Sequence, residues 1–176
     1  MNTIGQIPQI AQLLEGSNYV DVKTIVGQTS LRQFIASMLS YYPGWIVFLY
    51  RIRTILVKLL GLVQHPAPET PPELDPPDVS FVVGETVTFF TVRLAEENHY
   101  WVGETPEDKH LSAYFGVVVE PMEDHRKRFH VVTSVYYKHW TGPVYFNLIR
   151  PFHHLVVDRM MRAGIRRANL KQIPKA

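Results

Sequence analysis

Residues 129–161, FHVVTSVYYKHWTGPVYFNLIRPFHHLVVDRMM, constrain the fold more than any other stretch of the chain. They open as a strand, turn at Thr141-Gly142-Pro143 and continue with helical periodicity. A long strand that hands over directly to a long amphipathic helix supplies both the wall and the lid of one compact domain. Residues 129–139 are rich in the β-branched and aromatic types that fit a pleated sheet. Side chains alternate between faces. Phe129, Val131, Thr133, Val135, Tyr137 and His139 share the more apolar face, which should meet the core. That face turns polar toward its end, and polar groups on a core face need partners or water.

In the helical half, Pro143 suits a first helical position, where its missing N–H costs nothing. At about 100° per residue, Tyr145, Leu148, Phe152, Leu155 and Val156 form an apolar stripe expected to face the core, with Arg150, His154 and Asp158 opposite in solvent. His153 falls at the edge of the stripe. Arg159 falls inside it and has to snorkel or pair. Pro151 removes a hydrogen bond and crowds the preceding turn, so a kink is expected there, or a helix that properly starts near it.

Upstream, residues 1–17 read as a loop and a short helix, and residues 18–25 (NYVDVKTI) as a first strand. Thr29 or Ser30 can cap a helix that runs to about Ser40. Pro43-Gly44 breaks it, and residues 45–62 (WIVFLYRIRTILVKLLGL) form a second helix ending at Gly61. That helix has nearly the length of a membrane span. Arg51, Arg53 and Lys58 interrupt it, and central charges cost about 2.5–3.5 kcal/mol each on insertion scales. The favoured reading is an amphipathic helix lying on a sheet. If Arg51 and Lys58 face water, Arg53 faces inward and requires an anion or a carboxylate such as Glu85 or Glu97.

Residues 63–78 are a proline-rich connector, with six prolines between Pro66 and Pro77, and should be extended and polyproline-like. Strand texture then takes over at 79–83, 86–94, 99–103, 111–119 and 129–139. The connections at Gly84-Glu85 and Glu96-Glu97-Asn98 are tight, which implies an antiparallel meander. The resulting order is one strand, two helices, five strands and a final helix. This is an α+β domain in which a curved antiparallel sheet wraps on helices.

The 176 residues suit one domain with a real core. A net charge of +2 is too mild to argue for nucleic acid, and the absence of cysteine excludes disulfides and thiolate chemistry. That composition fits a reducing cytosol, so a cytoplasmic protein is expected. The first fifteen residues, MNTIGQIPQIAQLLE, lack a basic region and a long apolar run, so they do not read as a signal peptide.

The element order resembles the START-like, or helix-grip, superfamily, which includes polyketide cyclases and lipid-transfer domains. Three blocks resemble a narrower family, domain of unknown function 2867. They are WIVFLYRIRTILVKLLGL, DKHLSAYFGVVVE and VVTSVYYKHWTGPVYFNLIRPFHHLVV. The last is the most specific: a Thr-x-Val strand, a His, a Gly, a Tyr, then Pro-Phe-His. The resemblance implies a curved sheet around a long C-terminal helix, with two helices after the first strand, over residues 1–176. It implies no established activity. Some members carry a nucleotide-binding, reductase-like domain, but no Gly-rich phosphate loop occurs in this sequence.

In a helix-grip fold the sheet and the long helix enclose a cavity that is apolar apart from a few orienting polar groups. The candidates for contact with a ligand are Arg53, Trp101, Thr133, Tyr137, His139 and His153. The arginine could clamp a carboxylate. The histidine and tyrosine could bond a carbonyl or transfer a proton, or could simply satisfy backbone groups. No metal and no cofactor are expected. His153 and His154 diverge by about 100° on a helix, no HExxH spacing occurs, and there is no G-x-S-x-G elbow.

The function expected is binding of a small hydrophobic or amphipathic ligand, lipid-like molecules included, in a cavity between the sheet and the last helix. One alternative is a cyclase- or dehydratase-type enzyme using His139 or Tyr137 as acid or base. Another is a peripheral membrane or protein-interaction module built on the helix at 45–62, although membrane contact is not the favoured expectation. The sequence does not specify an oligomeric state.

Overall fold

The structure, a computed structural model, describes residues 3–59, 73–106 and 110–171. Helix α1 (Pro8–Leu14) precedes β1 (Tyr19–Gly27), and α2 (Leu31–Leu39) and α3 (Gly44–Leu59) follow. Then come β2 (Thr86–Val87), β3 (Phe90–Glu96), β4 (Tyr100–Glu104), β5 (Leu111–Pro121), β6 (Lys127–Tyr137) and α4 (Thr141–Lys171). The strands form one antiparallel sheet in the order β1-β6-β5-β4-β3-β2. The last strand thus returns to pair with the first. One sheet carrying two helices after β1 and a long helix after β6 is the expected α+β helix-grip architecture.

Local chemistry places the boundaries. Ser30 caps α2, its Oγ accepting from the Gln33 N–H, which satisfies one of the donors a helix leaves open at its start. Asn98 (φ 65°) closes the β3–β4 hairpin in the left-handed region that asparagine tolerates. Arg32 at the start of α2 clamps the far edge of the sheet. It forks onto both Glu97 carboxylate oxygens at 2.8 Å, donates to the Val79 carbonyl and lies 4.4 Å over the Phe81 ring.

The two faces of the sheet are both covered. On the inner face, Phe115, Val117, Val119, Phe129 and Val131 join α2 and the second half of α4 in the main core. Phe34 stacks on Phe129 with ring centroids 4.3 Å apart. Glycines allow α4 to come close: a Cβ on Gly27 would lie 2.4 Å from Ile165 Cδ1, and one on Gly164 would lie 3.0 Å from Phe34 Cε2. On the outer face, Ile4 and Ile10 of the N-terminal segment pack on Tyr100, Val102, Val118 and Val132.

Several expectations need correction. Residues 79–83 do not pair as a strand. They run as a bend and turn, and the segment at 86–94 is split by Thr88, whose φ is 57°. Helix α4 begins at Thr141 and continues through Pro151. Pro151 is tolerated because it and Asn147, the residue whose carbonyl it frees, both lie on the exposed side, where water replaces the lost bond. The α4 stripe is also turned. Of the expected stripe, Tyr145 is buried and Val156 half-buried, but Leu148, Phe152 and Leu155 are exposed, as is Arg159, while Phe146, Val157 and Met161 are buried with Ile149 and His153 half-buried. The buried stripe lies one residue further on, a rotation of about 100°. Small residues set that rotation: Ala163, Gly164 and Ala168 are buried, and the space at Gly164 is bounded by Phe34 and Met38 of α2.

The expected end of α3 at Gly61 and most of the proline-rich connector lie outside the described residues. So does the side chain of Arg53. Among the described residues, no helix is long and apolar enough to cross a membrane.

Candidate functional site

Strand β1 is built the wrong way round for a simple edge strand. Its alternation sets Val20, Val22 and Val26 on one face and Tyr19, Asp21 and Lys23 on the other. The valines are exposed, each by about two fifths (43, 42 and 39%). The tyrosine, the aspartate and the lysine are turned inward and half-buried under α4. The register carries this polar set across the sheet: Tyr19 pairs with Val135, Asp21 with Thr133 and Lys23 with Val131. Beyond them, Phe115 pairs with Thr133 and Leu111 with Tyr137.

The first half of α4 closes over this end of the sheet. Phe146 is buried, with its ring 4.8 Å from Tyr19 and 6.2 Å from Tyr137. The Tyr19 hydroxyl is 2.9 Å from His154 Nε2, and His154 Nδ1 is 3.2 Å from Asp21 Oδ2. Lys23 Nζ reaches Asp158 Oδ1 at 2.9 Å. The Arg150 guanidinium lies 5.8 Å from the Tyr19 ring centre. His154 and Asp158, expected in solvent, are therefore held against β1. The turned stripe brings them there.

Electrostatics distinguish the groups. Burial, and then the neighbouring Asp21 carboxylate, raise the pKa of the Tyr19 phenol, so it stays protonated. His153 is pushed down to about 4, first by desolvation and next by His154, against an upward pull from Asp21. It is a neutral imidazole at physiological pH. No hydrogen bond to its ring occurs among the described residues.

Each residue expected from the sequence has a place, except Arg53, whose side chain lies outside the described residues. Thr133 is buried on the inner face, directly across from Asp21. Tyr137 is half-buried beside Phe146, and its backbone N–H donates to Asn18 Oδ1 at 2.7 Å. His153 faces the same end from α4. His139 is exposed at the rim. Its Nδ1 is 3.0 Å from the Thr141 hydroxyl, which also meets His110 Nδ1 at 2.8 Å. This group fastens the start of α4 to β5, and Gly142 permits it: a Cβ there would lie 2.8 Å from the His110 carbonyl oxygen. Trp101 is completely buried in the main core and its indole N–H donates to Ser80 O. Glu97 and Glu85, considered as partners for Arg53, engage Arg32 and Ser80.

Thr133 and Tyr137 thus share the inner face of β6, His153 lies on α4 near Asp21 and Lys23, and beside them stand Tyr19, Asp21 and His154, which sequence reasoning did not select. The available signal was the polar register of Tyr19-x-Asp21-x-Lys23. A surface strand gives the same pattern, and only the position of α4 separates the two cases. Among the described residues, no three His, Asp or Glu side chains gather to hold a metal ion.

The outer face differs. It holds a cavity of about 10 Å³ beneath α1, lined by Ile10, Leu13, Leu14 and Val118 among others, room for roughly one water. Ser134 borders it, fully buried, and its hydroxyl has no partner among the described residues.

Residues 13–160 match the family model described as "Protein of unknown function (DUF2867)". No curated protein matches the chain. Among solved structures, a hypothetical protein from Helicobacter pylori is similar at 10% identity and a TM-score of 0.45, with 90% of this chain and 93% of that one covered. Norcoclaurine synthase from Thalictrum flavum, solved with dopamine and hydroxybenzaldehyde, is similar at 14% identity and a TM-score of 0.45, with 89% of each chain covered. Ara h 8.0201 is similar at 7% identity and a TM-score of 0.40, with 84% of this chain and 98% of that one covered.

Proposed function

The chain belongs to the DUF2867 family, and from that premise we propose that it binds a small hydrophobic or amphipathic molecule between the inner face of the sheet and the first half of α4. The observation that carries this reading is His153. A half-buried, neutral imidazole without a hydrogen-bond partner among the described residues keeps its ring nitrogens free for a ligand. It gains a purpose if a ligand bonds it. Thr133 and Tyr137 stand on the same face, Phe146 supplies an apolar wall, and His139 sits at the rim. A few convergent polar groups in an apolar setting are what orient a small ligand. Trp101 is left out of the set because its one polar atom is already engaged. The cysteine-free composition fits a reducing compartment, and a cytoplasmic location is part of this proposal.

Native mass spectrometry of the protein as purified, compared with its denatured mass, tests the proposal. The expected result is an excess mass that disappears on denaturation and falls in occupancy in His153→Leu. A protein that carries no excess mass, and takes up none from a library of amphipathic small molecules, would remove the reading.

A further inference from the structure

Tyr19, Asp21 and His154 belong to three positions that no functional expectation included, and their arrangement is ordered. The Asp21 carboxylate lies beside His154 Nδ1. It therefore favours the tautomer with the proton on Nδ1, which leaves Nε2 as an acceptor. The Tyr19 hydroxyl lies within hydrogen-bond distance of that acceptor. An acidic anchor, an oriented base and a hydroxyl at the end form a chain along which a proton can pass. The Tyr19 ring lies beside the Phe146 ring, and Tyr137 packs near the same phenylalanine. We infer that Tyr19, His154 and Asp21 form a proton relay that ionises the hydroxyl of an aromatic or enolic ligand held under α4.

The step balances without a co-reactant. The ligand O–H bond breaks and its proton moves to Tyr19 Oη. The proton already on Tyr19 moves to His154 Nε2. A ligand oxyanion remains, accepting a hydrogen bond from Tyr19, with an imidazolium behind it facing Asp21. Net charge within the site is unchanged. The raised Tyr19 pKa suits this role because the phenol starts protonated. The surrounding charges permit the separation. Lys23 is engaged by Asp158, Arg150 lies beside the Tyr19 ring, and His153 stays neutral, so the cation nearest the ring that is not itself in the relay is an arginine. Side-chain exposures of 36% for His154 and 22% for Asp21 leave the relay reachable yet shielded. A phenol or an enol is thus the ligand class, and enolisation or an aldol-type closure is the chemistry such an oxyanion supports.

The inference rests on the pocket proposed above, and a single probe separates the two. 4-Nitrophenol absorbs differently as phenol and as phenolate, so its spectrum on the intact protein reports both binding and ionisation. In the wild type, the bound probe should show the phenolate band at a pH where the free probe is mostly phenol, with its ionisation midpoint lowered by about one pH unit, a tenfold change. His154→Gln and Tyr19→Phe should still bind the probe but return its midpoint to that of free probe or above. Asp21→Asn should give an intermediate value. A probe bound as neutral phenol in the wild type would overturn the relay and leave the pocket standing, and so would a phenolate band that survives His154→Gln. Failure to bind the probe at all would reject this ligand class, and the native mass measurement would then decide separately whether the pocket exists.

Discussion

The two halves of α4 lie on the same face of the same sheet and behave in opposite ways. The second half, from Val157 onward, meets Phe34, Met38 and Phe129 at close range, with glycines at positions 27 and 164 where side chains would collide. The first half covers Tyr19, Asp21, Thr133 and Tyr137, and contributes His153 and His154 instead of aliphatic residues. One half spends its contacts on dispersion and apolar burial. The other holds half-solvated polar groups in pairs, Tyr19 and Asp21 with His154 and Lys23 with Asp158, which contribute little to stability. The comparison teaches that α4 is an apolar anchor at one end and a polar, half-solvated surface at the other.

Breaking the anchor should have the largest effect. Phe34→Ala removes a ring that is fully buried and stacked on Phe129, and should cost about 3–5 kcal/mol in urea unfolding. Next comes the response of the polar half to acid. His153 titrates at about 4 in the folded protein against 6.5 unfolded. The unfolded chain therefore binds a proton that the folded one refuses, and stability is complete above about pH 6.5 and lost as pH falls toward 4. The lost stability should reach at most roughly 3 kcal/mol. His153→Leu should flatten that part of the stability–pH curve, and an unchanged slope would show that His153 is not desolvated.

Gly164→Val should cost about 1–3 kcal/mol by overpacking against the Phe34 ring. A cost near zero would mean that α2 and α4 separate easily and that the anchor is looser than drawn. Thr133→Val tests the other half with the opposite sign. The Thr133 side chain is buried with no hydrogen bond among the described residues, so removing its hydroxyl should change stability by less than about 1 kcal/mol and more often raise than lower it. The smallest effect belongs to Lys23→Met. Its pair with Asp158 is partly solvated on both sides, 21% and 45% exposed, and should contribute less than about 1 kcal/mol, shrinking further with salt.

Much of the fold was legible. Alternation in 129–139 marked β6, a cap at Thr29 or Ser30 marked the start of α2, and the short connections from residue 84 onward marked a meander. Each of these depends on neighbours within a few residues. The strand expected at 79–83, which does not form, shows the limit: its residues favour β structure, but Arg32 and Trp101 engage the carbonyls of Val79 and Ser80, and the segment straps the core instead of pairing. Of the site, Thr133, Tyr137 and His153 could be chosen because they sit on or beside an apolar face. Tyr19, Asp21 and His154 could not, since each looks like an ordinary solvent-facing residue in its own element.

Apart from 79–83 and the break at Thr88, the sequence by itself determined which segments are strands and which are helices, and their order, because periodicity, caps and turn chemistry are local. It left open the rotation of α4 and the face that β1 turns inward. Periodicity gives the spacing of a stripe without its phase when apolar residues occur on both sides, as Leu148, Phe152 and Leu155 oppose Phe146, Val157 and Met161 in α4, and Val20, Val22 and Val26 oppose Tyr19 and Ile25 in β1. Close packing of Ala163, Gly164 and Ala168 near α2 fixes the phase of α4. That phase then carries His153 and His154 over β1, so the site is a consequence of a contact made by small residues about ten positions further along the helix.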